Sequence, residues 1–393
     1  MRIVAMISGT SHDAIDVAAA DVTIDGAEVV LTPLGAMSAA YPADLRADVV
    51  AALPPAKVGA EAFCKLDTRL GQAFADAAAT ACATIAGGSA DLVVSHGQTI
   101  FHWVEGAQAH GTLQLGQPAW IAERTGLPVV ADLRSRDIAA GGHGAPLVSI
   151  FDHLLLSGGR AKAALNLGGI ANITVLNGES GTPVAFDVGP ANALMDAAMV
   201  QRTDGAKTYD AEGDLAAGGT VDHGLLDRLL VDPYYALEPP KTTGKEHFHG
   251  AYLKQVLADH GTAVSDADLQ ATLAELTART VADACLDHGA AQVIAAGGGV
   301  RNRHVMRRLQ ALLAPAELQT IDRLGIGADD KEAYAFALMG FLTVNGLPGV
   351  VPSATGAGRA TVLGAVVPGA EGRLPIPVVD AGWRPRRLRI AAG

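Results

Sequence analysis

The first forty residues pair apolar runs with turn signals in a pattern that predicts strands. Residues 3–7 form an apolar run, 14–23 alternate in part, and 28–34 follow a hairpin signal at Asp25-Gly26. We therefore expect the chain to open with an antiparallel meander.

Between residues 44 and 86 the apolar residues recur at the spacing of a helix rather than at every second position. Apolar side chains such as Leu66, Leu70 and Phe74 recur every three or four positions, and Gly87 begins a stop signal. This pattern predicts a helix over 44–86. The same reasoning predicts a strand at 92–95, a helix at 118–125, a strand at 128–131 and a polar, glycine-rich loop at 132–144.

The opening theme returns after residue 162. An apolar run at 163–167, a Gly168-Gly169 turn and an alternating run at 170–176 repeat the strand, turn, strand order. Later residues predict a third strand at 183–186, a long helix around Leu269 to Thr280, a strand at 292–295 and a basic helix at 302–313.

Strands and helices that alternate along the chain predict an α/β protein. The repeated theme suggests two halves built alike, so we expect an N-terminal domain over 1–150 with the first glycine turn. A C-terminal domain over 151–393 would carry the later glycine loops, and its last segment could pack against the first domain.

Composition narrows the function classes. The chain has 393 residues, 41 acidic against 29 basic and a formal charge of −12, so neither nucleic acid nor an anionic membrane is an expected partner. Three cysteines are too few for a disulfide framework, and no apolar run reaches the length of a membrane span or a signal peptide. We expect a cytoplasmic protein with small-molecule partners.

The turn at residues 8–13 could hold phosphate. Gly9 lets a ligand approach the backbone, Thr10 and Ser11 offer hydroxyls, and Asp13 could hold Mg²⁺ through water. An ordinary hairpin turn explains the same residues.

Two further loops follow apolar strands. Asp187 ends the strand before Gly189 and a helix, where α/β proteins bind ligands, although it could equally cap that helix. Gly297 to Gly299 stand at another junction of strand and helix. With the turn at Gly168-Gly169, these make four similar loops, which together favour a nucleotide. The chain nevertheless lacks the Walker phosphate loop, G-x-G-x-x-G, G-x-S-x-G and H-E-x-x-H.

At these loops the sequence resembles the anhydro-N-acetylmuramic acid kinase family of the sugar kinase, Hsp70 and actin superfamily. The matching segments run in the family's order over nearly the whole chain. They are MISGTSHDAID (6–16), SHGQTIFH (95–102), ADLRSRDIAAGGHGAPLV (131–148), LNLGGIANIT (165–174), AFDVGPANALMD (185–196), KTTGKEHF (241–248), AGGGVRN (296–302) and EAYAFALMG (332–340).

The resemblance implies a two-domain kinase with a central cleft for MgATP and an anhydrosugar. The family opens a 1,6-anhydro bridge with water and phosphorylates O6, giving N-acetylmuramic acid 6-phosphate and ADP in peptidoglycan recycling. The resemblance implies that Asp187 is the general base. It also implies that the protein could be a homodimer. The nucleotide-binding residues it implies are Gly9, Thr10, Ser11, Asp13, Asp16, Gly168, Gly169, Asn172, Gly189, Asn192, Gly297, Gly298, Gly299 and Asn302.

On the sugar side the resemblance implies His96, Arg134 and Glu332 beside Asp187. From the residues alone, His96 could be a hydrogen-bonded loop histidine and Glu332 an acidic residue in an exposed first turn of a helix. Arg134 could equally belong to a solvated charge cluster with Arg136 and Asp137. Three positions depart from the family pattern: Ala14 and Ala191 replace glycines, and His143 replaces a glutamine.

Two rival functions remain open. One is a kinase of another 1,6-anhydrosugar such as levoglucosan, and the other is a nucleotide-switched binding protein of the Hsp70 or actin kind. His247 and His249 invite a metal site but lack further ligands at the usual spacing. The arginines Arg384, Arg386, Arg387 and Arg389 read as a solvated tail.

Overall fold

The chain forms two compact units in a computed structural model that describes residues 1–9, 12–105, 108–176, 183–239, 241–244, 247–380 and 382–391. Unit 1 comprises Met1–Leu155, Leu324–Ile326 and Asp330–Gly393, and unit 2 comprises Leu156–Arg323 and Gly327–Asp329. The segment from Asp330 onward therefore belongs to unit 1.

Strands and helices alternate along both units, which confirms the α/β class. The strands are β1 (Arg2–Ser8), β2 (Ala14–Asp25), β3 (Glu28–Ala40), β4 (Leu92–Glu105), β5 (Gln108–Leu115), β6 (Val129–Ala131), β7 (Lys162–Leu167), β8 (Ile170–Leu176), β9 (Val184–Pro190), β10 (Gln292–Ala296), β11 (Glu317–Thr320), β12 (Ala365–Val367) and β13 (Arg387–Ile390). The α-helices are α1 (Ala43–Ala52), α2 (Ala60–Thr84), α3 (Pro118–Thr125), α4 (Ser135–Ala139), α5 (Ser149–Leu156), α6 (Asn192–Arg202), α7 (Asp214–Ala217), α8 (His223–Leu230), α9 (Gly250–His260), α10 (Asp266–Asp287), α11 (Arg303–Leu313), α12 (Lys331–Val344) and α13 (Pro352–Thr355).

The sheet of unit 1 runs in the order β12-β6-β4-β1-β2-β3-β13, and β5 pairs with β4 outside that path. β1, β2 and β3 are antiparallel neighbours, while β4 is parallel to β1 and β6 is parallel to β4. Apolar side chains of α2, among them Leu70 and Phe74, pack in a core with Val4 and Val17 of this sheet.

The sheet of unit 2 runs in the order β11-β10-β7-β8-β9. β7, β8 and β9 are antiparallel neighbours, while β10 is parallel to β7 and β11 is parallel to β10. Taken from the other edge, the order β9-β8-β7-β10-β11 matches β3-β2-β1-β4-β6 of unit 1 in order and in strand direction. The predicted similarity of the two halves is therefore confirmed. Its core joins Leu165 and Ile173 of the sheet to Val281 of α10 and Leu309 of α11.

Three local predictions need correction. The helix predicted over 44–86 is two helices, because Pro54 and Pro55 in the intervening segment cannot continue a helical hydrogen-bond pattern. The strand predicted over 92–95 continues to Glu105 and forms a hairpin with β5, so His96 and His102 lie on a strand rather than in a loop. The predicted loop at 132–144 contains the short helix α4.

Helix α12 is buried almost all round and contacts β1, β2 and β4. A Cβ at Gly340 would lie 2.1 Å from Val94 Cγ2, so only glycine allows α12 to approach β4 this closely. Within the part of the chain that the structure describes, no helix combines the length and apolarity needed to cross a membrane.

Candidate functional site

The turn after β1 is held by buried side chains. Ser8 Oγ donates to Gln98 Oε1 at 2.7 Å, and Gln98 Nε2 lies 2.9 Å from His12 Nδ1 and 3.4 Å from the Gly9 carbonyl oxygen. Gln98 is 0% exposed, so its amide is a fixed support under the turn. Thr10 and Ser11, both predicted to bind nucleotide, lie outside the described residues.

Two carboxylates follow this turn. Asp13 is exposed, and its carbonyl accepts a hydrogen bond from Tyr41 N at 2.9 Å. Asp16 is half-buried on β2, opposite Ile7 of β1. Mg²⁺ in phosphoryl-transfer sites is typically held by one or two carboxylates together with phosphates and water, and this sparse pair fits that donor set.

The turn after β7 is held by backbone. Gly168 and Gly169 join β7 to β8, and their carbonyls accept hydrogen bonds from the N–H groups of Ala191, Asn192 and Ala193 at 2.9 to 3.0 Å. These donors form the N-terminus of α6, where N–H groups lack partners inside the helix. The turn and the helix therefore brace each other.

The sequence suggested that Asp187 ends its strand. In the structure it lies in the middle of β9. Its Oδ2 accepts a hydrogen bond from Thr242 Oγ1 at 2.8 Å and one from Thr243 N at 3.1 Å. The N-cap residue of α6 is Ala191, with no side-chain cap, so the capping alternative for Asp187 is wrong. Across the sheet, Asn172 of β8 pairs with Asp187.

Sequence reasoning missed the residues that hold Asp187. Its N–H donates to the Lys241 carbonyl at 3.1 Å, and its own carbonyl accepts from Tyr234 Oη at 2.6 Å. Burial raises the pKa of Tyr234, and the charge of Asp187 raises it further, so this phenol stays a donor at neutral pH. The KTTG segment (241–244) among the family-like motifs was the signal for Lys241 and the two threonines, whereas no motif pointed to Tyr234.

The three glycines of the loop after β10 differ in how much space the protein leaves for a side chain. A Cβ at Gly297 would lie 2.6 Å from Asn166 Oδ1, and one at Gly299 would lie 2.7 Å from Leu167 Cβ, so packing within the protein excludes side chains there. A Cβ at Gly298 would meet no atom within 4 Å. Gly298 therefore faces open space.

The space for a Cβ also differs between Gly189 and Gly9, two other glycines predicted to bind nucleotide. A Cβ at Gly189 would lie 2.9 Å from Tyr235 Cε1, whereas one at Gly9 would meet no atom of the described residues within 4 Å. Gly9 thus resembles Gly298, since neither glycine is explained by protein packing. Asn302, predicted to bind nucleotide, caps α11, because its Oδ1 accepts from the N–H groups of His304 and Val305 at 3.1 and 3.0 Å.

The residues implied for the sugar include a connected pair in unit 1. Arg134 Nε donates to His96 Nε2 at 2.7 Å, and Arg134 Nη1 donates to the Gly144 carbonyl at 2.6 Å. Burial lowers the pKa of His96 to about 3, and the charge of Arg134 contributes to the shift. His96 is therefore neutral at physiological pH, with Nδ1–H donating to the Gly97 carbonyl at 2.9 Å and Nε2 accepting from Arg134.

Glu332 is the second residue of α12 and is exposed, as the first-turn alternative expected. Its carboxyl nevertheless interacts with Arg134: surrounding protein raises the pKa of Glu332, and the positive charge of Arg134 counteracts that rise. Next to it, Lys331 Nζ makes a buried ion pair with Asp152 Oδ1 at 2.7 Å. This pair secures the start of α12 and hence the position of Glu332.

The three departures from the family pattern are accommodated locally. Ala191 has φ −103°, so its methyl group causes no left-handed strain. Ala14 starts the extended strand β2. His143 donates its N–H to the Thr355 carbonyl at 2.8 Å, and its ring lies near Gly356.

The two histidines beside Phe248 contact other parts of the protein. His247 Nε2 lies 3.0 Å from Asp232 Oδ2, and His249 caps α9. No group of three or more His, Cys, Asp or Glu side chains suited to a metal ion occurs among the described residues.

Comparison with known proteins shows similarity over the full length. A family model for anhydro-N-acetylmuramic acid kinase matches residues 1–369. Proteins with that name from Streptomyces coelicolor and Rhodococcus erythropolis are 54% and 53% identical to this chain, with 100% of each chain covered. A solved ROK family glucokinase from Streptomyces griseus aligns with 86% of this chain and 99% of its own at 12% identity and a TM-score of 0.36.

Proposed function

The chain belongs to the anhydro-N-acetylmuramic acid kinase family, and from this membership we propose how its residues divide the work of the family reaction. The enzyme is an ATP-using kinase of peptidoglycan recycling with the two-domain sugar kinase and actin-like architecture. In the reaction water attacks the anomeric carbon of the anhydrosugar, the bond from that carbon to O6 breaks, and O6 takes the γ-phosphoryl group of ATP.

Asp187 is the general base that accepts the proton of the attacking water. The single observation that carries this role is the fixed orientation of its carboxylate, with Oδ2 held by Thr242 and Thr243 from another loop. A positioned carboxylate near the attacked carbon removes the proton as the oxygen–carbon bond forms, which typically contributes about 10²–10⁴-fold in rate.

The nucleotide phosphates approach the glycines that protein packing leaves open. In unit 1, Gly9 offers backbone without a side chain to block a ligand. In unit 2, Gly298 does the same, and Gly168 and Gly169 present a braced turn. Mg²⁺, when bound with ATP, would neutralise charge on the phosphates, and Asp13 would hold it through water. Within unit 2, Gly189, Gly297 and Gly299 are packing residues, and Asn302 caps α11.

The sugar is bound in unit 1 by Arg134 and Glu332, with His96 as their support. Neutral His96 accepts from Arg134 Nε, which orients the guanidinium and leaves its Nη2 side for a polar group of the sugar. Glu332 is exposed and can accept hydrogen bonds from sugar hydroxyls.

Asp187→Asn tests the central assignment. We expect kcat for ADP release to fall by about 10² or more, while ATP binding measured by calorimetry stays within twofold. The matched control is Asp227→Asn on the exposed face of α8, which should retain full turnover. Normal turnover of Asp187→Asn would remove this residue from the mechanism.

Substrate preference is tested by ADP release with two anhydrosugars. Family membership predicts faster turnover with 1,6-anhydro-N-acetylmuramic acid than with levoglucosan. Faster turnover with levoglucosan would assign the chain a different sugar. ATP hydrolysis at the same rate with and without sugar would favour a nucleotide-switched binding protein.

A further inference from the structure

We propose that unit 1 contains a second ligand site, a binding cavity for a small organic phosphate. The cavity has a volume of about 490 Å³ and is lined by three arginines, Arg136, Arg359 and Arg384, together with Thr361. None of the residues assigned above to ATP, water or sugar lines it. The site therefore stands apart from the reaction described above.

The charge of the cavity is unbalanced by the protein. The ion pairs that arginines form among the described residues do not include Arg136, Arg359 or Arg384. The acidic neighbour of Arg136 in the sequence, Asp137, is buried and engaged elsewhere: its two oxygens accept from Gly144 N at 2.7 Å and Thr355 Oγ1 at 2.8 Å. Arg136, Arg359 and Arg384 are all exposed, and this local excess of positive charge at one cavity in a chain of net charge −12 favours an anionic ligand.

Backbone contacts hold the arginines' segments in place. Gly358 N donates to the carbonyl of Ala140, the C-cap residue of α4, at 2.9 Å, and this contact ties the Arg359 loop to the helix that bears Arg136. Gly349 N donates to the Thr361 carbonyl at 2.9 Å, which fixes the other side of the loop. Arg384 Nη1 donates to the carbonyl of Trp383 at 2.7 Å. These contacts order the backbone that carries the arginines, which lowers the entropic cost of binding.

The size and walls of the cavity indicate a phosphate ester rather than a bare ion. Guanidinium groups match the planar pairs of oxygens on phosphate and bind them with two hydrogen bonds each. Pro348 and Val362 supply apolar wall that a free phosphate ion would leave uncovered. A volume of about 490 Å³ lies in the range of small-molecule sites, so a phosphate attached to a sugar-sized carbon frame fits the chemistry.

Isothermal titration calorimetry with three probes tests the proposal: glucose 6-phosphate, inorganic phosphate and glucose. We expect wild type to bind glucose 6-phosphate at least about tenfold more tightly than inorganic phosphate and to give no heat with glucose. Arg359→Gln and Arg384→Gln should each weaken glucose 6-phosphate binding at least about tenfold. The matched control, Arg386→Gln, removes an exposed arginine of the same segment that does not line the cavity and should stay within twofold.

The outcomes separate the parts of the proposal. Unchanged melting temperatures show that the variants fold, and Arg359→Lys should restore part of the affinity through its charge. Absence of glucose 6-phosphate binding, or equal binding in Arg359→Gln and wild type, would overturn the site. Equal affinity for inorganic phosphate, or binding of glucose, would overturn the assignment to an organic phosphate. Turnover of the Asp187 and Asp227 variants is independent of these results.

Discussion

The turn after β1 in unit 1 and the turn after β7 in unit 2 have the same place in equivalent sheets, yet they are stabilised differently. Buried side chains hold the first, with Gln98 bonded to Ser8 and close to His12. Backbone holds the second, through carbonyls of Gly168 and Gly169 that accept from the start of α6. Two turns at equivalent positions of the same topology can therefore be stabilised by different kinds of contact.

The two solutions have different weaknesses. Side-chain support depends on particular polar groups, some of which can titrate, whereas backbone support depends on close packing that tolerates no added atoms. Unit 1 should thus respond to pH and polar substitutions, and unit 2 to added methyl groups.

The largest expected effect is loss of stability in unit 1 on acidification. His96 lies on β4 two residues before Gln98, and its pKa is lowered to about 3 by burial, so below pH 6.5 the unfolded chain takes up a proton that the fold excludes. The stability it contributes is complete above pH 6.5 and declines by roughly 1.4 kcal/mol per pH unit as pH falls towards 3. His96→Gln should remove this part of the slope.

Tryptophan fluorescence makes this measurement specific for one unit, because Trp103, Trp120 and Trp383 all belong to unit 1. Urea unfolding followed at pH 7.5, 6 and 5 gives the slope for each variant. His110→Gln, at an exposed position on β5, is the control and should behave as wild type. Parallel stability curves for His96→Gln and wild type would contradict a neutral, buried His96.

The next effect concerns Gln98 itself. Gln98→Leu fills the same space but leaves Ser8 without its side-chain acceptor, so we expect the free energy of unfolding to fall by about 1–3 kcal/mol. The turn would also lose its support, and KM for ATP should rise. Gln114→Leu, on β5 and bonded to Thr99 and Thr112, is the control that should leave this KM unchanged. A stability loss without any change in KM would separate Gln98 from nucleotide binding.

Unit 2 offers a paired test with two adjacent glycines. Gly299→Ala would push a methyl group into Leu167 and should cost about 1–3 kcal/mol of stability. Gly298→Ala meets no protein atom, so stability should hold while KM for ATP rises severalfold. Thermal unfolding and steady-state kinetics on both variants check the contrast. The opposite result, a destabilised Gly298→Ala with normal KM, would show that Gly298 is a packing residue.

Local sequence patterns predicted the two hairpins because apolar runs and glycine turns act over a few residues. They placed Asp187 on the right strand for the same reason. They could not predict Thr242 and Thr243 as its partners, since these residues come from an irregular loop about fifty residues later in the chain and the contact is tertiary. Nor could they predict Gln98, because the polar and aromatic residues after Ser95 hid the continuation of β4.

Thr242→Val measures the smallest effect, the contribution of one side-chain hydrogen bond to Asp187. Valine keeps the shape of threonine but cannot donate to Oδ2, while the N–H of Thr243 still donates at 3.1 Å. Because the carboxylate keeps one of these two donors, we expect kcat to fall only about three- to tenfold, with KM for ATP unchanged. Thr243→Val is the matched control, since its backbone donor survives the substitution and kcat should stay near that of wild type. If Thr242→Val instead raised KM for ATP at constant kcat, Thr242 would belong to nucleotide binding, and Asp187 would owe its orientation to the backbone alone, as the neighbouring glycine turn does.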